Sequence, residues 1–399
     1  MRVCRGPLAV LRRAPFEGNG GSPREPIEYL RGVIIAAVRN EKEAGAEVPM
    51  TMAGRAENRA AFEFARGIIG KVSRTFAIGI SVLPGDLGKA VLVGYLLCRI
   101  ADTIEDDGSA SAQRRQELLA KFLDCFQDPA LAERFGLEAG DIKADASYLE
   151  LMQGTQLVFA LHRSLPPKSA AIVEKWTREL TMGMSEFVGR YPAGIRIQTM
   201  PEYRRYCYYV AGTVGHLLTD LWLANSTLVK PRDYERLLAN CEAFGEGLQT
   251  INILKDIAWD IEHENAAYIP EDLLRASGSS HQTILHGDWQ VQNREALVAL
   301  VALAKEDIRK SLDYFNAIPK RAIQIRLFCL LPILFAVATL REIERSTAML
   351  ESGGAVKISR DEVRSLILAG SVSTISNKTT RWLVSKTSRQ RFKLGLAKP

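Results

Sequence analysis

The chain has 399 residues, 47% of them apolar and 25% charged, with a formal net charge of +6. That balance supports a sizeable core and suits an anionic substrate or an anionic membrane surface, but it is too modest and too evenly spread for nucleic acid. Cys4, Cys98, Cys125, Cys207, Cys241 and Cys329 form no CxxC pair and no His/Cys cluster at zinc spacing. This argues against a disulfide framework or structural metal and fits a reducing, cytoplasmic compartment.

From the amino terminus, Arg2, Arg5, Arg12 and Arg13 precede a Gly/Pro/Ser stretch that ends at Pro26. The apolar segment Leu8 to Leu11 is too short for a secretory signal. Residues 1–27 read as an extension outside the fold, disordered or misassigned, with Met50 or Met52 as alternative starts. Beyond it, i, i+3, i+4 apolar spacing dominates and strand-like alternation is almost absent. The spacing predicts helices over 28–46, 57–80, 86–105, 111–126, 143–163, 168–190, 201–225, 231–263, 291–316, 320–347 and 360–370. Pro84-Gly85-Asp86 and Pro166-Pro167 punctuate them, with Asp86 a credible N-cap. The longest apolar run, Phe328 to Leu340, has thirteen residues and contains Pro332. It falls short of the roughly eighteen that a membrane span needs and reads as a buried helix. One all-α domain over 28–370 is expected, its motif-bearing core at about 55–350. After Glu362 there is no acid, and eight basic residues follow. Residues 371–399 thus read either as a solvated basic tail or as a peripheral contact with anionic lipid headgroups.

Two aspartate pairs with four-residue spacing stand out, Asp102/Asp106 and Asp256/Asp260. Residues four apart share a helix face, so each pair presents two carboxylates side by side. Tyr95, Arg99, Asp102 and Asp106 make one polar stripe on an otherwise apolar helix, with Glu105 beside it. Gln249, Asn252, Asp256 and Asp260 make a second. One such stripe is often an ordinary solvated face. Two, turned toward each other, would form a cleft suited to magnesium ions holding a diphosphate. A third stretch, residues 203–222, is dense in aromatics and carries Gly212 and Gly215 mid-helix. Glycine there costs about 1 kcal/mol against alanine, which suggests close helix approach or room for a ligand. A tyrosine hydroxyl in an apolar pocket can move a proton, although most of these rings are expected to be core packing.

SRTF (73–76), YLLCRIADTIEDD (95–107), YCYYVAGTVG (206–215), LQTINILKD (248–256), FCLLP (328–332) and AVKI (355–358) appear in that order. Together they resemble the squalene and phytoene synthase family, the last two pointing to its squalene synthase branch. The resemblance covers about residues 57–365. It implies a class I isoprenoid synthase bundle with a central cavity, joining two farnesyl diphosphates head to head. On that implication Asp102, Glu105, Asp106, Asp256 and Asp260 hold magnesium, with manganese as the alternative ion. Arg74, Arg99 and Lys255 would neutralise diphosphate or the phosphate of NADPH. Tyr95, Gln249 and Asn252 would line the substrate cavity, and Tyr206 would assist proton loss. Lys357 and Arg360 would serve the NADPH side.

The chain also departs from the family pattern. Trp259 stands where the family has Glu before the last Asp of the second motif. IEHENAAYIP is one residue longer than its family counterpart and lacks a Gly-Arg; His263 is a replacement candidate, although a lone histidine is more often a surface or packing residue. Ser359 follows AVKI where a basic residue is usual. These changes touch the second diphosphate site and the NADPH pocket. They motivate two alternatives to squalene formation. One is a non-reductive relative making presqualene diphosphate, dehydrosqualene or phytoene; the other is a catalytically silent isoprenoid-binding protein.

Overall fold

The structure is a computed structural model that describes residues 52–394; the side chains of residues 52–56, Arg74 and Thr75 lie outside the described set. The extension over 1–27 and the helix expected over 28–46 also fall outside it. Among the described residues the architecture is all-α, with one isolated parallel bridge between Arg196 and Ala267.

Helices α1 (Met52–Val72) and α2 (Arg74–Ser81) replace the single one expected over 57–80. Ser73 separates them: its backbone is extended and its hydroxyl accepts from the Phe76 N–H at 3.3 Å. In α3 (Gly85–Glu105) the N-cap is Pro84, not Asp86. The acid sits in the first turn, where it complements the helix dipole. α4 (Ala112–Asp124) is followed by α5 (Pro129–Glu138), which periodicity does not indicate; the Asp128 carboxylate caps it by accepting from Ala130 and Leu131 N–H groups. α6 (Ala146–Gln153) and α7 (Thr155–Arg163) divide the expected 143–163 helix at Gly154, where a Cβ would lie 2.0 Å from the Phe64 ring.

After α8 (Pro167–Arg190), α9 (Met200–Cys207) passes through a π-helical turn at Tyr208–Gly212 into α10 (Thr213–Asn225). The helix expected over 231–263 is broken twice, into α11 (Pro231–Leu238), α12 (Cys241–Lys255) and α13 (Ile257–His263). The second break falls on Asp256 itself (φ −125°, ψ 16°), yet the Asp260 N–H still donates to the Asp256 carbonyl at 3.0 Å. The two acids therefore remain one turn apart. α10 and α12 cross with their backbones touching: a Cβ on Gly215 would fall 1.9 Å from the Cys241 carbonyl oxygen.

The remaining helices are α14 (Glu271–Ala276), α15 (Gln290–Ala317), α16 (Ile323–Arg345), α17 (Arg360–Ser373) and α18 (Asn377–Arg389). α16 is long and apolar enough to cross a membrane, but 89% of its most apolar window is buried inside the protein. It is the central core helix. Pro332 within it cannot donate to the Phe328 carbonyl, and both residues line the central cavity.

The expected tail from residue 371 is corrected. α18 packs on α16 and buries Leu383 and Val384, and Phe392 beyond it is buried too. Two buried arginines of α16 hold this segment. Arg326 donates to the Thr374 carbonyl at 2.6 Å and to Asn377 Oδ1 at 2.6 Å. Arg341 pairs with Glu362 at 2.8 Å and donates to the Thr387 and Gln390 carbonyls at 2.7 and 2.8 Å. Buried guanidinium groups need such partners, and the C-terminal segment supplies them.

Candidate active site

On α3 the polar stripe faces inward. Arg99 and Asp102 are fully buried. The guanidinium lies 2.7 Å from Asp102 Oδ2, donates to the Tyr95 hydroxyl at 3.3 Å, and sits over the Tyr95 and Tyr148 rings. Glu105 and Asp106 follow at the helix end, also buried. Burial and neighbouring Asp102 push Glu105 up to about 8, Arg115 opposing and Glu264 reinforcing. A carboxyl so placed gains from any cation brought beside it.

The second wall is the end of α12 with α13. Gln249, Asn252, Lys255, Asp256 and Asp260 are all buried, and the Lys255 ammonium pairs with the Asp256 carboxylate. The loop bearing AVKI runs past this point, where the Val356 N–H donates to the Lys255 carbonyl at 3.3 Å. Glu262 of α13 holds the same loop through the Gly353 N–H at 3.1 Å. Lys357 is exposed and Arg360 half-buried, so the two cations expected on the cofactor side flank the second wall without being enclosed by it. Arg74 opens α2, and its side chain lies outside the described residues.

An apolar cavity in two parts lies against the helices that carry the two motifs, α3 and α12. One, of about 360 Å³, is lined by Phe244, Gly245 and Leu248 of α12. The other, of about 290 Å³, is lined by Gly94, Tyr95 and Cys98 of α3. Phe76, Val214, Leu218 and Phe328 line both, so the compartments share a wall. Tyr206 is buried, and its hydroxyl is pushed well up by burial and then by the nearby charge of Glu105. Tyr268 is pushed up likewise, with Asp106 and Asp260 both contributing, so it lies within electrostatic reach of both acidic motifs.

Tyr268, Glu264 and Arg115 were not singled out by sequence reasoning. They line a polar chamber of about 500 Å³ together with Glu105 and Asp106. Backbone pairing places Tyr268: the Ala267 N–H donates to the Ile195 carbonyl at 2.8 Å, and the Ile197 N–H donates to the Ala267 carbonyl at 3.1 Å. Within this loop Asn265 turns left-handed at φ 51°. Arg196 clamps it, donating to the Asn265 carbonyl at 2.5 Å. His263 does not replace the missing arginine. Its exposed ring stacks on Trp259 at 3.5 Å.

Both oxygens of Glu105, Nε of Arg99, Oε1 of Gln249 and Oδ1 of Asn252 are buried without a hydrogen-bond partner among the described residues. Orphaned polar atoms of both signs, in and beside acidic walls, fit a ligand that carries cations and phosphate oxygens. Among the described residues no three metal-binding side chains already converge at ligand spacing. Two open walls, as against a closed cage, suit magnesium, which takes one or two carboxylates and completes its shell with water and substrate phosphates.

A helical bundle with two acidic helices turned toward an apolar cavity defines the isoprenoid-synthase class of fold. Residues 69–362 match the squalene/phytoene synthase family, a family of prenyltransferases, and the chain belongs to it. A Botryococcus squalene synthase from Botryococcus braunii is 27% identical over 312 residues, which cover 77% of this chain and 62% of that protein. The chain thus spans about three fifths of that relative's length. The solved complex of TcSQS with the ligand BPH1237 superposes with a TM-score of 0.70 at 23% identity, covering 83% of this chain and 98% of that one. A dehydrosqualene synthase in complex with ligand gives 0.53 at 18% identity, covering 84% and 97%. These two likenesses are of fold.

Proposed function

We propose that the chain joins two farnesyl diphosphates head to head, through presqualene diphosphate, to squalene. The observation that carries this reading is the set of buried carboxylates and cations on the two helices, α3 and α12, that also line an apolar cavity. Asp102, Glu105 and Asp106 on one wall, and Asp256 and Asp260 on the other, would hold magnesium. Bound there, magnesium would draw charge from the diphosphate and make it a viable leaving group. Arg99 and Lys255 add fixed positive charge within the same low-dielectric site, where it acts strongly. The cavity walls keep water from an allylic cation.

Tyr206 remains a neutral phenol because burial and the acids around it disfavour its anion. It donates to Tyr268, which leaves a lone pair on its own oxygen. It can take a proton from the substrate while its own passes to Tyr268 and the phenolic proton of Tyr268 passes on to one of the carboxylates around it, Asp106 or Glu264. Lys357 and Arg360, at the edge of the second wall, would meet the phosphate of NADPH, whose hydride completes the reductive step. The test supplies farnesyl diphosphate and magnesium with and without NADPH and reads products by mass spectrometry. NADPH-dependent squalene is expected, and its absence defeats the proposal.

A second reading stops short of reduction, at presqualene diphosphate, dehydrosqualene or a phytoene-like product. Trp259 in place of the family acid, stacked away on His263, favours it. NADPH-independent hydrocarbon or a diphosphate product in the same assay would select it.

A further inference from the structure

The outward face of α18 has a composition that neither the core nor the active site uses. Thr380, Leu383, Val384 and Thr387 turn inward and are buried. At 100° per residue, Lys378, Trp382, Ser385 and Arg389 fall on the opposite side, with Arg381 and Lys386 at its flanks. Trp382 is 57% exposed, and the Lys386 ammonium sits 5.0 Å from its ring centroid. Just before the helix, Ile375 and Val372 are 59% and 68% exposed. A single exposed apolar side chain is ordinary. Three of them between residues 372 and 382, with one lysine over the tryptophan ring, three further cations on the same side of the helix and no acid after Glu362, mark a surface built to meet something.

A second positive surface lies at the start of the helix, on another side of it. Asn377, the first residue of α18, also lines an open basin of about 1100 Å³ with Lys230, Arg232, Arg236, Lys320 and Arg321, against the single acid Asp233. The helix is held rigidly. Arg326 fixes its start through Asn377, and Arg341 and Arg345 fix its end through the carbonyls of Thr387 and Arg389. A tryptophan flanked by lysines and arginines on a fixed helix suits a plane that is negative at its surface and apolar just beneath.

We propose that the outer face of α18, with Val372 and Ile375, docks the protein on an anionic lipid bilayer, Trp382 entering the headgroup boundary and Lys378, Arg381, Lys386 and Arg389 lying against lipid phosphates. The occupant is a bilayer because the attraction combines one-sided charge with exposed apolar side chains, and a free phosphate would use only the charge. The inference does not depend on the reaction proposed above, because none of these residues borders the active site.

The test is co-sedimentation of the full chain with phosphatidylcholine vesicles, with and without phosphatidylglycerol, at low and high salt. Binding is expected only with the anionic lipid and should weaken with salt. Lys378→Glu with Arg381→Glu should cut partitioning at least about tenfold, since each cation near such a surface contributes on the order of a factor of five. Trp382→Ala should also weaken it, and wild type should show a vesicle-dependent blue shift in tryptophan fluorescence that Trp382→Phe removes. All these changes are on the exposed face, and circular dichroism should be unaltered. Equal binding to neutral vesicles, no binding, or wild-type binding by the variants overturns the proposal. So does a dimer in sedimentation velocity that Trp382→Ala dissolves, because the face would then be covered by a second copy.

Discussion

Tyr206 and Tyr268 stack with ring centroids 5.0 Å apart and 25° between their planes, and the Tyr206 hydroxyl donates to that of Tyr268 at 3.3 Å. Tyr206 comes from α9 and Tyr268 from the loop after the second acidic motif, so the pair joins the two halves of the site. If Tyr206 moves the proton, Tyr206→Phe should lower kcat on the order of 10²-fold or more while KM changes little. Tyr268→Phe keeps the stacked ring but loses the acceptor and should give a smaller drop. Wild-type turnover in Tyr268→Phe would remove it from the relay.

The acidic walls make a separate prediction. Asp102→Asn and Asp256→Asn should each lower turnover by about 10²-fold or more, by analogy with the loss of one charge-stabilising group in other active sites. Both should remain folded by circular dichroism. Titration with magnesium and inorganic diphosphate should show weakened binding in each. Normal rates in either folded variant would contradict the assignment.

Asp307 on α15 and Glu246 on α12 test how burial couples to pH away from the acidic motifs. Burial pushes Asp307 up to about 6, and burial with neighbouring Asp307 pushes Glu246 up to about 7. Both values lie above those of an unfolded chain, so the folded protein keeps protons that the unfolded one releases. Stability should therefore fall as pH rises from about 4 to about 7 and change little from these groups beyond that. Asp307→Asn should flatten this slope in thermal melts taken across the range. An unchanged slope would mean that the pair does not titrate as its burial implies.

The C-terminal helices supply a stability prediction. Arg341 and Glu362 are both buried and hydrogen-bonded twice to each other, at 2.8 and 2.9 Å. Removing one partner strands the other charge, so Arg341→Met should cost about 3–5 kcal/mol. Limited proteolysis should then cut near α18 first. A melt within a degree or two of wild type would show that the pair contributes little.

Both acidic helices are legible in the sequence because a polar stripe at helical spacing, set on an otherwise apolar helix, has to face a cavity or a partner. Chain breaks are harder to see. The interruptions at Ser73, Gly154 and Asp256 depend on a hydroxyl cap, the Phe64 ring and tertiary packing, none of which alters local periodicity. Tyr268 and Glu264 lie in an irregular loop, where no period marks a residue as buried. The C-terminal segment misleads for a different reason. Its lack of acids suggests a solvated tail, yet Leu383, Val384 and Phe392 bury one side of it. Arg326 and Arg341 bracket the apolar run of α16 and so look like its solvent-facing ends. They are interior residues whose charge is met by backbone carbonyls and a carboxylate.

Because Phe76, Val214, Leu218 and Phe328 are common to both apolar compartments, neither can be resized alone through these shared residues. A bulkier side chain at any of these four positions would crowd both at once, and a smaller one would loosen both. On the proposed reaction, selectivity for the two prenyl tails would be mechanically linked through these four residues, and a change of preferred tail length would most readily arise through residues that touch a single compartment, such as Leu248 or Val91.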